Sequence, residues 1–329
     1  MNITTVAAKT SSENATISSS VPSKAEGVAL CAAFILSLVL IVVGNLLTLV
    51  LFAVNRSLRK RSLFLLIIMA FADLMLGILS LPIYIYVVGK SFQLWNGGWS
   101  MSLSIFYTIV DIFFSQASLI SAAFISGERF YAIYWPFKHR TLSMRAYRII
   151  IFTVWVLTLL ISALWSTSFF LISYKRAVYL WTPYVLFLTF IICGCNIGIW
   201  RKFRQRTIAS QQQNRDSLNK RLTKTLMIVA FLVSLSWLPL VIFNCLIYVY
   251  DVQIPRKYYH IVNLINYSNS FANPVVYALR IPEFREASLN IVNINRRSKK
   301  TPATELRTLR TGNSLLQLNF EEEVLHTKL

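Results

Sequence analysis

Acidic residues are scarce in this chain: 13 Asp and Glu stand against 33 Lys and Arg in 329 residues, a net charge of +20. Charge of either sign is scarce as well, at 14% of residues where a soluble domain carries about 25%. So little charge cannot cover the water-facing surface of a soluble core. The positive residues sit in short segments between apolar runs rather than on one face, which excludes nucleic acid as a partner. Histidine is rarer still. His139, His260 and His326 fall in loops or the tail by sequence, and no nucleophile–base pair or metal-ligand cluster lines the apolar runs, which argues against an enzyme. The four cysteines, Cys31, Cys193, Cys195 and Cys245, all lie inside apolar runs, so they read as small hydrophobes and no disulfide framework is expected. The first 26 residues are polar and rich in Ser and Thr, with no apolar core such as a cleaved signal needs. The first apolar run is therefore expected to act as its own insertion signal.

What is abundant is hydrophobicity, 56% of residues, gathered into seven runs. They lie at about Val28–Val54, Leu63–Val88, Met101–Gly127, Ile149–Ser173, Ala177–Trp200, Thr225–Tyr250 and Ile261–Leu279. A bilayer span needs about 20 predominantly apolar residues, and runs this long can satisfy their backbone in lipid only as helices. The fold expected is an all-α membrane protein, a seven-transmembrane helix bundle over 27–281. Without matching repeats in the two halves, or charges paired across several spans, a transporter or channel is a distant alternative. Lys and Arg crowd the segments after the first, third and fifth spans: Arg56, Arg59, Lys60 and Arg61, then Lys138, Arg140 and Arg145, then seven from Arg201 to Arg221. The positive-inside rule makes those segments cytoplasmic, with the 1–26 tail outside and the C-terminus inside. Asn2-Ile3-Thr4 and Asn14-Ala15-Thr16 agree, offering Asn2 and Asn14 for glycosylation on the outer side. After the seventh span, 282–292 reads as a short amphipathic eighth helix on the inner membrane surface, opened by Pro282 with Phe284 and Leu289 on its apolar side. The segment 293–329 reads as a disordered cytoplasmic tail.

Ionisable residues inside a span are costly and mark function. Only Asp73 and Asp111 lie inside the runs, and Arg129 closes the third in Gly127-Glu128-Arg129-Phe130. Asp111 and Arg129 are 18 residues apart, five turns at 3.6 residues each, so they share one face with Ser115, Ser118 and Ala122. On the seventh run Asn263, Asn266, Asn269 or Ser270, Asn273 and Tyr277 recur at three- and four-residue spacing. Both faces belong toward a polar interior rather than lipid.

At this point the residues resemble a known family, the rhodopsin-like (class A) G-protein-coupled receptors, from the first span through the eighth helix. The signatures are Gly44-Asn45, Ala70 with Asp73, Glu128-Arg129-Phe130, Pro136, Trp155, Ser236-Trp237-Leu238-Pro239 and Asn273-Pro274-Val275-Val276-Tyr277, in order and each in its span or the loop beside it. The resemblance implies a plasma-membrane receptor that takes an extracellular ligand and activates heterotrimeric G proteins. Glu128 and Arg129 look like the pair that holds the resting state, Arg129 turning to meet the G protein. Trp237 above Pro239 looks like the hinge under the ligand pocket, since proline frees a carbonyl and permits a kink. Asp73, Ser118, Asn269 and Asn273 look like the family's internal sodium site, and sodium is the one ion implied; a hydrogen-bonded polar cluster would use the same residues. Asp111 stands where receptors for biogenic amines carry the aspartate that pairs with the ligand's ammonium, and Tyr267 where they place a tyrosine bonded to it. Ser115, Trp237, Asn244 and Asn263 join them as ligand-binding candidates. The alternative is a peptide or other non-amine ligand, with Asp111 paired inside the bundle.

The departures from the family pattern are Ser104 where a disulfide cysteine is usual, Asn196 where a tyrosine is usual, and no proline at the usual midpoint of the fifth span. The outer half of that span, Val178 to Tyr184, has no serine to grip a catechol. The visual-pigment lysine would fall at Tyr267, which excludes a retinal Schiff base there.

Overall fold

The structure, a computed structural model, describes residues 23–55, 63–98, 100–209, 215–280 and 284–286. Asn2 and Asn14, the basic segment 56–62 and the tail from 287 lie outside the described residues, as does most of 282–292. Residues 284–286 are helical.

Each apolar run forms one long helix. In chain order these are α1 Lys24–Val54, α2 Phe64–Ser91, α3 Met101–Tyr134, α4 Met144–Ile172, α5 Tyr174–Ala209, α6 Arg215–Asn244 continued by a wider turn at Cys245–Val249, and α7 Arg256–Arg280. Six of them, α1 to α6, are long and apolar enough to cross a membrane. The 25 residues of α7 extend about 37 Å at 1.5 Å each, enough for a hydrocarbon core of about 30 Å. What α7 lacks is hydropathy, because its asparagine face faces neighbouring helices instead of lipid.

Several helices outrun their apolar runs. α3 continues past Gly127 through Glu128 to Tyr134, α6 is already wound at Arg215, and only Ser173 separates α4 from α5. A helix satisfies its own backbone whether lipid or water surrounds it, so the first charge ends the span without ending the helix. Serines fix two starts: Ser100 Oγ accepts from the Leu103 amide at 3.1 Å, and Ser143 Oγ from the Ala146 amide at 3.3 Å.

α3 lies in the middle, packed against α2, α4, α5 and α6, while α7 joins α6 to α1. Trp155 of α4 stacks on Phe113 of α3 at 5.9 Å and meets Phe71 of α2 edge-on at 6.1 Å. Asn45, fully buried, donates from Nδ2 to Ile41 O at 2.9 Å and across to Ser270 O at 3.0 Å, tying α1 to α7. Its neighbour Gly44 lets the two backbones approach: a Cβ there would stand 3.1 Å from the Pro274 ring. In α2, Pro82 has no N–H to give the carbonyl four residues back, and the wider turn Leu76–Ser80 just before it absorbs the misfit. Leu36, Val43, Leu160, Leu164 and Phe190 stand exposed on the outward faces of α1, α4 and α5, an apolar girdle suited to lipid and too broad for water.

Candidate functional site

The wide turn in α2 places Ser80 against α3. Ser80 Oγ donates to Asp111 Oδ1 at 2.5 Å, and Tyr267 of α7 donates to the same oxygen at 2.6 Å. Tyr267 is steadied by Tyr107 at 3.4 Å, one turn before Asp111 on α3. Both hydrogen bonds to Asp111 fall on Oδ1, and Oδ2 takes none from a described residue. Asp111 lines a cavity of about 220 Å³. The six ligand-binding candidates, Asp111, Ser115, Trp237, Asn244, Asn263 and Tyr267, all line this one cavity. The expected partnership of Asp111 with Tyr267 is present; Ser80 was not expected, because the turn that aims it depends on Pro82 two residues later.

Sequence reasoning also missed the far wall. Trp165 of α4 meets Trp181 of α5 edge-on at 5.6 Å, and Trp181 meets Trp237 of α6 at 6.1 Å, all three lining the cavity. Gln116 and Asn266 line it too, and Gln116 Oε1 and Asn266 Nδ2 are buried without a hydrogen-bond partner among the described residues. Tyr107 had a legible signal, four residues from Asp111 on the same stripe; Trp165 and Trp181, isolated in apolar runs, had none. His260, read as a loop residue, is instead buried in the first turns of α7, with Nδ1 at 3.0 Å from Tyr84 OH.

Midway down the bundle Asp73 is fully buried. Ser270 Oγ donates to its Oδ1 and Asn273 Nδ2 to its Oδ2, each at 2.9 Å. Between Asn269 and Ser270, the pair the heptad-like face left open, it is Ser270 that reaches the carboxylate. Asn269 Oδ1 and Asn273 Oδ1 are buried with no hydrogen-bond partner among the described residues, two spare oxygen acceptors, and the buried Ser118 lies beside the same carboxylate. Pro274 sits at the Gly44 contact, and Tyr277, one turn after Asn273, is 1% exposed.

At the other end of α3, Arg129 donates from Nε to Glu128, and both side chains are buried. Two further groups converge on Glu128 Oε1: His139 Nε2 at 2.7 Å and Tyr147 OH at 2.9 Å. A carboxylate only accepts, so this contact selects the His139 tautomer with hydrogen on Nε2. His139 lies on a short helix, Pro136–Arg140, and Tyr147 in the first turn of α4. Sequence reasoning left His139 in a loop without a role. Phe130 stacks on Tyr134 at 4.3 Å and presses on α5 where Gly198 leaves room: a Cβ there would lie 2.6 Å from Phe130 Cε2. Tyr134 OH donates to Gly198 O at 3.1 Å. Pro239 lies inside α6 two residues after Trp237, so Leu235 O lacks its usual amide donor.

An acid at a cavity, a buried polar centre and an acid–base pair at the opposite end thus lie along α3. Comparison with known proteins gives this arrangement its family. Residues 44–277 match the family described as 7 transmembrane receptor (rhodopsin family). The chain is 25% identical to adenosine receptor A3 of Ovis aries over 279 residues, covering 76% of this chain and 85% of that one. It is 23% identical to adenosine receptor A2b of Gallus gallus over 298 residues, covering 78% and 85%. It is 26% identical to trace amine-associated receptor 13c of Danio rerio over 294 residues, covering 77% and 82%. The chain belongs to the rhodopsin-like G-protein-coupled receptors, multi-pass membrane receptors and not enzymes.

Proposed function

We propose that this receptor binds a small extracellular amine whose ammonium pairs with Asp111, and that it stands in the plasma membrane with its N-terminus outside and its C-terminus in the cytoplasm. The orientation rests on the Lys and Arg of the loops. The ligand class rests on one observation above all: Asp111 lines the cavity with Oδ1 held by Ser80 and Tyr267, while Oδ2 has no donor among the described residues. A buried carboxylate facing a cavity walled by eight aromatic residues is costly unless a cation meets it. The aspartate is already oriented, so little ordering opposes the encounter. The cavity, about 220 Å³, falls below the span of about 300–1,000 Å³ for drug-sized pockets, which favours a small ligand over a peptide.

A second reading takes its motive from the adenosine receptors among the relatives. Four carboxamides, Gln116, Asn244, Asn263 and Asn266, line the cavity, and a carboxamide can pair with a purine edge through two hydrogen bonds. A neutral nucleoside leaves Asp111 without a counter-charge, so the amine is the stronger reading.

Below the cavity, Asp73, Ser118, Asn269 and Asn273 would hold a sodium ion. Spare buried oxygens beside a carboxylate suit a hard cation. At the inner end, Glu128, His139 and Tyr147 hold Arg129 in the resting state, and release of Arg129 admits the G protein, with Phe130, Pro239, Pro274 and Tyr277 transmitting the change.

The test is to express the chain in cells and read second messengers against a panel of biogenic amines, adenosine and short peptides. A saturable response to an amine supports the proposal. A response to adenosine or to a peptide alone overturns it.

A further inference from the structure

We infer that Gln116 reads a hydroxyl group carried on the aromatic end of the ligand, so that the receptor takes a hydroxylated arylethylamine in preference to its unsubstituted parent. This rests on the amine reading of Asp111 and extends it to the other end of the same cavity.

Gln116 is only 3% exposed, yet it lines the cavity, and its Oε1 has no hydrogen-bond partner among the described residues. A buried amide oxygen without a donor is costly, and a ligand seated in the cavity that Gln116 lines can bring it one. Its position relative to the acid fixes what that donor belongs to. Five residues separate it from Asp111, which is about 7.5 Å along α3 and about 140° around it. Asp111 is bonded to α2 and α7 through Ser80 and Tyr267, so Gln116 is turned away from them, toward the side where α4 and α5 pack. There the tryptophan wall begins: Trp165 on Trp181 at 5.6 Å, and Trp181 on Trp237 at 6.1 Å.

A ligand that satisfies all three features has a cation at one end, an aromatic ring to lie among the tryptophans, and a polar hydrogen beyond the ring. A hydroxyl both donates and accepts, so it meets either face of the Gln116 carboxamide. The α5 residues that line the cavity, Ala177, Val178 and Trp181, carry no hydroxyl. The outer half of α5 carries no serine, and Thr182 Oγ1 faces Cys245 Sγ of α6 at 3.7 Å.

The experiment compares tyramine with phenethylamine, which differ only in the ring hydroxyl, by competition binding on wild type, Gln116→Leu and Gln116→Met. Surface expression of each is counted with an N-terminal epitope, and the two variants of different shape guard against a folding defect. Wild type is expected to prefer tyramine by about tenfold. Both variants are expected to bring the ratio of the two affinities close to one, chiefly by weakening tyramine. A ratio that survives both substitutions overturns this inference alone. Absence of binding of both amines to wild type overturns this inference, and the amine reading falls with it when no other biogenic amine binds.

Discussion

Asp111 shows how much one side chain depends on the two that hold it. Ser80 and Tyr267 both donate to Oδ1, from different helices, so the carboxylate cannot rotate without losing a hydrogen bond to a charged group. Such bonds contribute about 1.5–3 kcal/mol each. Tyr267→Phe keeps the ring and removes the donor, and is expected to weaken amine binding about tenfold with unchanged surface expression, read by saturation binding. Gly198 is the counterpart at the other end. The Phe130 ring fills the space where its Cβ would stand, so Gly198→Val overpacks the α3–α5 contact at a cost of about 1–3 kcal/mol. A lower melting temperature of the purified receptor in detergent, without altered ligand selectivity, is the expected reading. Asp111, Tyr267 and Trp237 were legible because a buried acid, its tyrosine and a Trp–Leu–Pro run announce themselves in one dimension. Gly198 and Ser80 were not, because what matters about each lies on another helix.

Among the elements, α3 touches all three polar centres, and its Glu128–Tyr134 end was the part least legible in sequence. Counting apolar residues ends the span at Gly127, but the helix runs to Tyr134 and a short turn then brings His139 back onto Glu128. That return depends on Pro136 opening the short helix, a three-dimensional consequence no spacing rule reports. Glu128 thus holds Arg129 with two supports, His139 and Tyr147. Removing a support loosens the hold on Arg129, so His139→Ala and Tyr147→Phe are each expected to raise ligand-independent second-messenger output above wild type at equal surface expression. Unchanged basal output in both would show that Glu128 holds Arg129 without them. In α7 the polar face was legible from the three- and four-residue spacing of asparagines, but the choice between Asn269 and Ser270 at Asp73 was not. Those two neighbours differ by about 100° around the helix, a margin that packing against α1 and α2 decides.

For the whole molecule, a bundle of seven helices followed from the lengths of apolar runs, since lipid leaves a chain so few ways to satisfy its backbone. The cavity did not follow, because its walls come from six helices and Trp165 and Trp181 look like ordinary apolar residues in sequence. No disulfide closes the cavity end of the bundle: all four cysteines are free, and the helix ends there carry exposed pairs, Lys175 with Asp251 and Lys257 with Glu26. Exposed pairs contribute little, so Asp251→Asn is expected to leave the melting temperature unchanged. The buried centre couples the two ends if sodium occupies it. Agonist affinity is then expected to fall when sodium chloride replaces choline chloride at equal ionic strength, and Asp73→Asn to abolish that dependence. The central claim remains the ion pair, and competition binding of a responding amine to wild type and Asp111→Asn tests it most directly. The substitution keeps the shape and removes the charge, and the pairing predicts a loss of affinity of about 30-fold or more. Equal affinity in the two proteins would contradict it.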